Sequence, residues 1–200
     1  IGETLTAFEL ISAASMDLVG DKLGMQPPIS GGQWFLLIEA SSSLEGLPEA
    51  TEATLASAFE TGLVQDGTLS ANEAQAEALW ALRDHITEAE ARAGKSLKHD
   101  ISLPPAQIAQ FLDLFDTQLG NLAPTARPNV FGHLGDGNLH VNVILAADES
   151  LSMKDAITTM VHDLATKFGG SISAEHGLGQ LRLEEYRRLA PKAEQALQSS

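Results

Sequence analysis

The sequence predicts an α+β fold in which an antiparallel sheet has helices packed on one face. Short apolar segments of strand length alternate along the chain with segments of helical periodicity. An Asp-Gly dipeptide between two apolar segments is typical of a β-hairpin turn, and clusters of glycine and proline separate the other elements. Hairpins and helices mixed in one chain favour an α+β architecture.

The first third of the chain is predicted to have the order β-α-β-α. Leu5–Ile11 and Trp34–Glu39 are short segments with strand composition. Ala13–Leu23 has helical composition, and residues 24–32 form a loop rich in glycine and proline. A second helix is predicted over Ala50–Leu63.

The middle of the chain is predicted to contain a long helix, a strand and a further helix. Ser70 and Glu73 match a capping box, which predicts that a helix over Ala71–Ala93 begins there. Leu97–Leu103 alternates apolar and polar residues, as in a strand that is covered on one side. Apolar residues then recur at helical spacing from Ile108 to Gly120.

A hairpin is predicted from Val130–Leu134 and Leu139–Leu145, joined by a two-residue turn at Asp136-Gly137. This register makes the valines one apolar face and places His133 opposite His140 on the other face, which also carries Asn142. The remaining predicted elements are a helix over Met153–Phe168, a short strand over Ser171–Ala174 and a helix over Gln180–Leu189.

Composition excludes several classes of function. Twelve Lys and Arg residues stand against 27 Asp and Glu residues, for a net charge of −15, which argues against a nucleic-acid or anionic-membrane partner. The absence of cysteine excludes disulfides, cysteine-ligated metals and thiol catalysis within the chain. The apolar segments are too short to span a bilayer.

Two neighbouring imidazoles suggest a metal site. His133 and His140 together with Glu175 would supply three ligands and leave an open position, as catalytic metals require. His176 is adjacent to Glu175, and because adjacent side chains usually point in different directions, it is a candidate base rather than a fourth ligand. The alternative interpretation is a polar face with half-exposed histidines and a surface Glu-His pair.

A second cluster suggests that the ligand is a carboxylate. Arg83 and Thr87 are four residues apart and are expected to share a helix face, and Lys98 lies on the polar side of the next strand. Positive groups in an acidic protein would attract a carboxylate, which arginine binds in a bidentate manner. Alternatively, Arg83 pairs with a nearby acid such as Asp84 or Glu90.

Four segments carry a resemblance to a known family. Residues 131–142 (FGHLGDGNLHVN) and 173–179 (SAEHGLG) resemble the C-terminal domain of FAD-linked 2-hydroxyacid oxidases and dehydrogenases. This family includes D-lactate dehydrogenase, the glycolate oxidase flavin subunit and D-2-hydroxyglutarate dehydrogenase. Residues 79–87 and 98–104 are most similar to the D-2-hydroxyglutarate branch. The resemblance implies a ferredoxin-like sheet and a single substrate- and metal-binding domain over residues 1–200.

The resemblance also implies roles for individual residues. His133, His140 and Glu175 match metal ligands, the metal being zinc, or else manganese or iron(II). His176 matches a general base. The positions that match substrate contacts are Arg83, Thr87, Lys98 and Asn142.

The implied activity is oxidation of a D-2-hydroxy acid to the 2-oxo acid. The metal would assist deprotonation of the hydroxyl group, and hydride would pass to FAD. The chain has no G-x-G-x-x-G motif, so FAD is expected on an N-terminal domain outside this chain, and the chain alone is expected to be inactive. The expected location is the bacterial cytoplasm, or the mitochondrial matrix in a eukaryote.

The residues leave two other functions open. The same ligand set could activate water in a metal-dependent hydrolase, or the domain could be a non-catalytic assembly module. The expected partners are the small hydroxy acid and the protein's own FAD-binding domain. The electron acceptor and homodimer formation are left open.

Overall fold

A computed structural model describes residues 4–43, 45–146 and 151–174, together with 185, 188 and 189. Across these residues six strands form an antiparallel sheet with the order β2-β1-β5-β6-β3, and β4 also pairs with β6. The strands are β1 Leu5–Ser12, β2 Trp34–Ala40, β3 Ser96–Leu97, β4 Asp100–Ser102, β5 Arg127–His133 and β6 Asn138–Ile144. The helices are α1 Ala13–Leu23, α2 Leu47–Glu60, α3 Glu73–Asp84, α4 Ile86–Ala93, α5 Ile108–Leu122 and α6 Leu151–Lys167. The predicted α+β fold with an antiparallel sheet is confirmed.

The chain divides into two compact units. The first comprises residues 1–94 and 129–135, and the second comprises residues 95–128 and 136–200. Across the described residues, no helix is both long enough and apolar enough to cross a membrane.

In the first unit, β1 is the central strand and pairs with β2 on one side and β5 on the other. Its register places Glu9 directly opposite Leu37 of β2 and His133 of β5. Helix α1 packs against β1 and α4 and buries Leu18 and Val19. Because β1 has a partner on both sides, its inner residues are buried and their positions are fixed.

The predicted long helix of the first unit is two helices. The helical path is interrupted at His85, whose φ of −86° and ψ of 0° leave the α region. The His85 ring nitrogen Nδ1 lies 2.7 Å from the carbonyl oxygen of Ala81, so a side-chain contact accompanies the break. The predicted Ser70 cap is also wrong. Asn72 caps α3 instead, its side chain accepting a hydrogen bond from the Gln75 backbone N–H.

In the second unit, β6 pairs with β4 and β3 and puts alternate residues on opposite faces. Leu139, Val141 and Val143 are fully buried, which confirms that they belong to the core. Helices α5 and α6 pack together, and α6 also packs against β4. His99 is buried here, and its Nδ1 lies 2.7 Å from the Val141 carbonyl oxygen, which satisfies this buried ring nitrogen.

Two predicted boundaries in the second unit are wrong. The strand predicted over Leu97–Leu103 is divided into β3 and β4 by residues 98 and 99. Residues 134–137 form the turn between β5 and β6, whereas the prediction left residues 135–138 between the strands and placed a two-residue turn at 136–137. The Asp136 side chain accepts a hydrogen bond from the Asn138 backbone N–H at 3.0 Å, which stabilises a wider turn.

Gly137 ends this turn in a conformation that favours glycine. Its φ is +81°, and a Cβ atom there would lie 1.9 Å from the carbonyl oxygen of Leu103. The absence of a side chain allows the Leu103 backbone N–H to donate to the Gly137 carbonyl oxygen at 2.9 Å. This contact ties the start of β6 to the residue that follows β4.

Candidate functional site

One buried carboxylate organises the polar group of the first unit. Glu9 is 3% exposed and receives two hydrogen bonds. Its Oε1 lies 2.6 Å from Nδ1 of His133, and its Oε2 accepts from Nε of Arg83 at 2.8 Å. Glu9 and His133 meet because they are directly opposite each other on neighbouring strands. One acid therefore holds both a predicted metal ligand and a predicted substrate contact.

Arg83 is fixed by an aromatic ring as well as by the acid. Its guanidinium carbon lies 5.0 Å from the ring centroid of Phe131 on β5. The arginine side chain is only 13% exposed. In the described part of the chain Arg83 bonds Glu9 through Nε, so its Nη groups can still face a ligand. Of the acids considered for this arginine, neither Asp84 nor Glu90 is the partner found.

Thr87 does not share a helix face with Arg83 as predicted. Arg83 lies in the last turn of α3, whereas Thr87 lies in the first turn of α4, beyond the break at His85. Thr87 is exposed. The argument from helical spacing is therefore wrong for this pair, and a role for Thr87 in substrate binding stays a prediction that rests on the resemblance.

The second unit contains a similar pair of a histidine and an acid. His140 on β6 lies directly opposite Asp100 on β4. Nδ1 of His140 is 3.6 Å from Oδ1 of Asp100, so this contact is an ion-pair distance rather than a hydrogen bond. The Asp100 side chain is 7% exposed and the His140 side chain is 22% exposed. The acid is buried and the imidazole is partly accessible, as in the first unit.

The other predicted residues of the second unit differ in their exposure. Asn142 lies two residues beyond His140 on β6, so both side chains are on the same face of that strand. Asn142 is 5% exposed, whereas Lys98 is exposed. The predicted placement of His140 and Asn142 on one face, opposite the valines, is confirmed.

Two predicted site residues, Glu175 and His176, lie outside the described residues. Among the residues that the structure describes, no three His, Asp or Glu side chains are grouped as metal ligands. His133 belongs to the first unit and His140 to the second. A shared metal site formed by His133, His140 and Glu175 therefore stays a prediction.

The acids that accompany the histidines were missed by sequence reasoning. Glu9 is an isolated charge in the inner half of a predicted strand, which was the available signal. Asp100 was predicted on the polar side of its strand, but without a partner. Both roles depend on which strands are neighbours in the sheet. The sequence pattern alone did not predict that strand order.

Together the fold and the side chains define a class: an α+β domain in which a buried acid, Glu9, bonds both a partly accessible histidine and an arginine suited to an anion. The chain matches the family described as FAD linked oxidases, C-terminal domain, over residues 2–199. It belongs to that family.

Its relatives include D-2-hydroxyglutarate dehydrogenases. The mitochondrial enzyme of Arabidopsis thaliana is 41% identical over 188 residues, which cover 92% of this chain and 33% of the relative. The mitochondrial enzyme of Bos taurus is 41% identical over 181 residues, covering 90% and 32%. The Stutzerimonas stutzeri enzyme is 33% identical over 191 residues, covering 92% and 41%. The chain thus spans about a third of the length of the first two relatives.

Proposed function

We propose that this chain is the substrate-binding part of an FAD-dependent dehydrogenase that oxidises a D-2-hydroxy acid to the 2-oxo acid, with D-2-hydroxyglutarate as the main substrate. One observation carries the proposal: Glu9 holds Arg83 and His133 together, and the resemblance implies a substrate contact at Arg83 and a metal ligand at His133. The names of the relatives support the choice of substrate. Family membership favours this function over a hydrolase or an assembly module.

Arg83 is proposed to bind the carboxylate next to the reacting carbon. Its Nε is already bonded to Glu9, so the planar guanidinium is oriented before the substrate arrives. The Nη groups match the geometry of a carboxylate. The exposed Lys98, together with Thr87 and Asn142, is proposed to bind the rest of the acid. Two basic side chains suit a dicarboxylate.

His133, His140 and Glu175 are proposed to hold a divalent metal, zinc or else manganese or iron(II). The donor set fits, because ligating histidines in proteins commonly place the other ring nitrogen against a carboxylate. Nδ1 faces Glu9 in His133 and Asp100 in His140. A metal bound there would supply Lewis acidity toward the substrate hydroxyl.

His176 is proposed to accept the proton of the hydroxyl group as a neutral imidazole, whose usual pKa suits this role near neutral pH. FAD would supply the hydride acceptor when bound. It is expected on a separate domain, so that the 200-residue chain alone does not turn over. Mitochondrial relatives support a matrix location in a eukaryote, and bacterial relatives a cytoplasmic one.

The test uses the full-length protein with FAD bound. Flavin bleaching is followed without oxygen after addition of D-2-hydroxyglutarate, D-lactate or glycolate, with L-2-hydroxyglutarate as the control enantiomer. D-2-hydroxyglutarate is expected to give the highest kcat/KM, and the control to give none. A chelator should abolish bleaching and added zinc should restore it. No bleaching by any hydroxy acid would contradict the proposed function.

The role of His176 is tested in the same assay. His176→Ala should abolish flavin reduction while FAD stays bound, because no other group is proposed to take the hydroxyl proton. Near-normal reduction in this variant would remove His176 from the reaction and leave the substrate assignment intact.

A further inference from the structure

We propose that Glu9 is a positioning residue that fixes the tautomer of His133 and the orientation of Arg83 at once. This inference rests on the proposed function, in which His133 holds a metal and Arg83 binds the substrate carboxylate. It concerns three side chains that all lie in the first unit. It assigns a role to Glu9, the buried acid that bonds both of the other side chains.

The hydrogen-bonding capacities of the three groups determine the tautomer. Arginine only donates hydrogen bonds, and an ionised carboxylate only accepts them. With Oε2 of Glu9 accepting from Nε of Arg83 at 2.8 Å, Oε1 must accept from Nδ1 of His133 at 2.6 Å. The hydrogen of the neutral ring is therefore on Nδ1. Nε2 then carries the lone pair, which is the atom a metal needs.

Glu9 is well placed to act as a rigid support. Its side chain is 4% exposed, whereas that of His133 is 38% exposed. Strand β1 has partners on both sides, with Glu9 opposite Leu37 and His133. The acid is thus anchored in the interior while the imidazole reaches the accessible surface, as expected for a support behind a ligand.

The substitution Glu9→Gln separates the two contacts of the acid. Glutamine offers one acceptor and one donor group. Because Arg83 can only donate, the amide oxygen must face Nε of Arg83, and the amide N–H then faces Nδ1 of His133. The ring has to accept there, which moves its hydrogen to Nε2. The variant should therefore keep the arginine contact and reverse the tautomer of His133.

The first measurement is ¹⁵N NMR of the metal-free, full-length protein with histidine-selective labelling. His133→Ala identifies the signals of His133. The wild type is expected to show the Nδ1–H form, and Glu9→Gln the Nε2–H form. A merely structural glutamate would leave the tautomer unchanged. An Nε2–H form in the wild type would overturn the inference, even if the variant does not fold.

The second measurement is zinc affinity by competition with a chelating dye. Glu9→Gln is expected to weaken binding roughly 10- to 100-fold, as does loss of other carboxylates behind metal-bound histidines. At saturating zinc the KM for the hydroxy acid should change less than about threefold, because the amide still bonds Arg83. Unchanged zinc affinity would contradict the role of Glu9.

Glu39→Gln is the matched control. Glu39 lies on the neighbouring strand β2 and also bonds helix α3, its Oε2 accepting from Nε1 of Trp80 at 2.7 Å. It is expected to leave the tautomer and the zinc affinity unchanged. If the wild-type protein binds none of zinc, manganese and iron(II), the proposed metal site is wrong. The NMR spectra would still decide the role of Glu9.

Discussion

The two units each contain a histidine that faces a buried acid across antiparallel strands, but the two pairs differ in closeness. Oε1 of Glu9 lies 2.6 Å from Nδ1 of His133, whereas Oδ1 of Asp100 lies 3.6 Å from Nδ1 of His140. Both pairs are directly opposite in register, so the strands do not explain the difference. Glutamate reaches one methylene further than aspartate, and Glu9 is also bonded to Arg83. The closer pair thus has three features together: opposite positions on the two strands, the longer acid side chain, and an arginine that bonds the same carboxylate.

The largest expected effect is on the first pair. Arg83→Ala leaves the buried Glu9 without its guanidinium partner, and the free energy of unfolding should fall by about 3 kcal/mol. In the full-length enzyme the variant should also raise the KM for the hydroxy acid. Chemical denaturation and steady-state kinetics measure the two effects.

The control for Arg83 is Arg92→Ala. Arg92 pairs with Glu88 on α4, and these two side chains are 55% and 47% exposed. Its removal should cost less than about 0.5 kcal/mol. Equal losses in the two variants would mean that burial does not distinguish the Glu9 contact.

The next effect concerns the turn that begins β6 in the second unit. Gly137→Ala should destabilise the protein by about 2 kcal/mol, because φ is +81° and the new Cβ would clash with Leu103. Gly135→Ala is the control, since the nearest atom to its Cβ would be 3.9 Å away. Similar denaturation midpoints for the two variants would contradict this account of the turn.

A smaller effect is expected from the second pair. Asp100→Asn should weaken zinc binding in the full-length protein less than about fivefold, because a contact of 3.6 Å supplies little hydrogen-bond orientation. The same dye competition compares it with Glu9→Gln. A greater loss for Asp100→Asn would reverse the order of the two pairs.

The smallest effect concerns Asp116, whose carboxylate lies near the carboxylate of Asp113. Partial desolvation, and then the charge of Asp113, raise the pKa of Asp116 above its usual 3.8. An acid with a raised folded-state pKa favours folding at low pH, and that contribution is lost as pH rises through the folded pKa. Asp116→Asn should therefore raise Tm by about 1 to 2 °C near neutral pH, since solvent screens this exposed group. The difference should vanish at acid pH; a constant difference would contradict the assignment.

Hydrophobic periodicity was enough to predict most elements of the fold. The buried residues Leu139, Val141 and Val143 follow the alternation of one strand, and Ala13–Leu23 has the predicted bounds. Periodicity did not predict the break at His85, which is a change in backbone conformation, or the wider turn, which Asp136 stabilises with its side chain. Such local polar contacts are not encoded in an apolar pattern.

Only part of the candidate site could be predicted in the same way. The alternation of β6 gives the shared face of His140 and Asn142. The partner of Arg83, by contrast, is Glu9, which is 74 residues away in sequence. Tertiary contacts of this kind depend on strand order, which helical spacing does not contain. Spacing along a helix therefore predicted Thr87 as the neighbour of Arg83 and did not predict Glu9.

The contacts of Glu9 also have a consequence for the order of folding events. This residue of the first strand meets partners that are 74 and 124 positions further along the chain. Closing loops of that length slows folding, since chain entropy is lost before the contacts form. During synthesis from the N-terminus, the Glu9 side chain of β1 is made well before Arg83 and His133, so neither contact can form until those residues have been added. We therefore expect the polar group of the first unit to be completed late, after the local helices have formed.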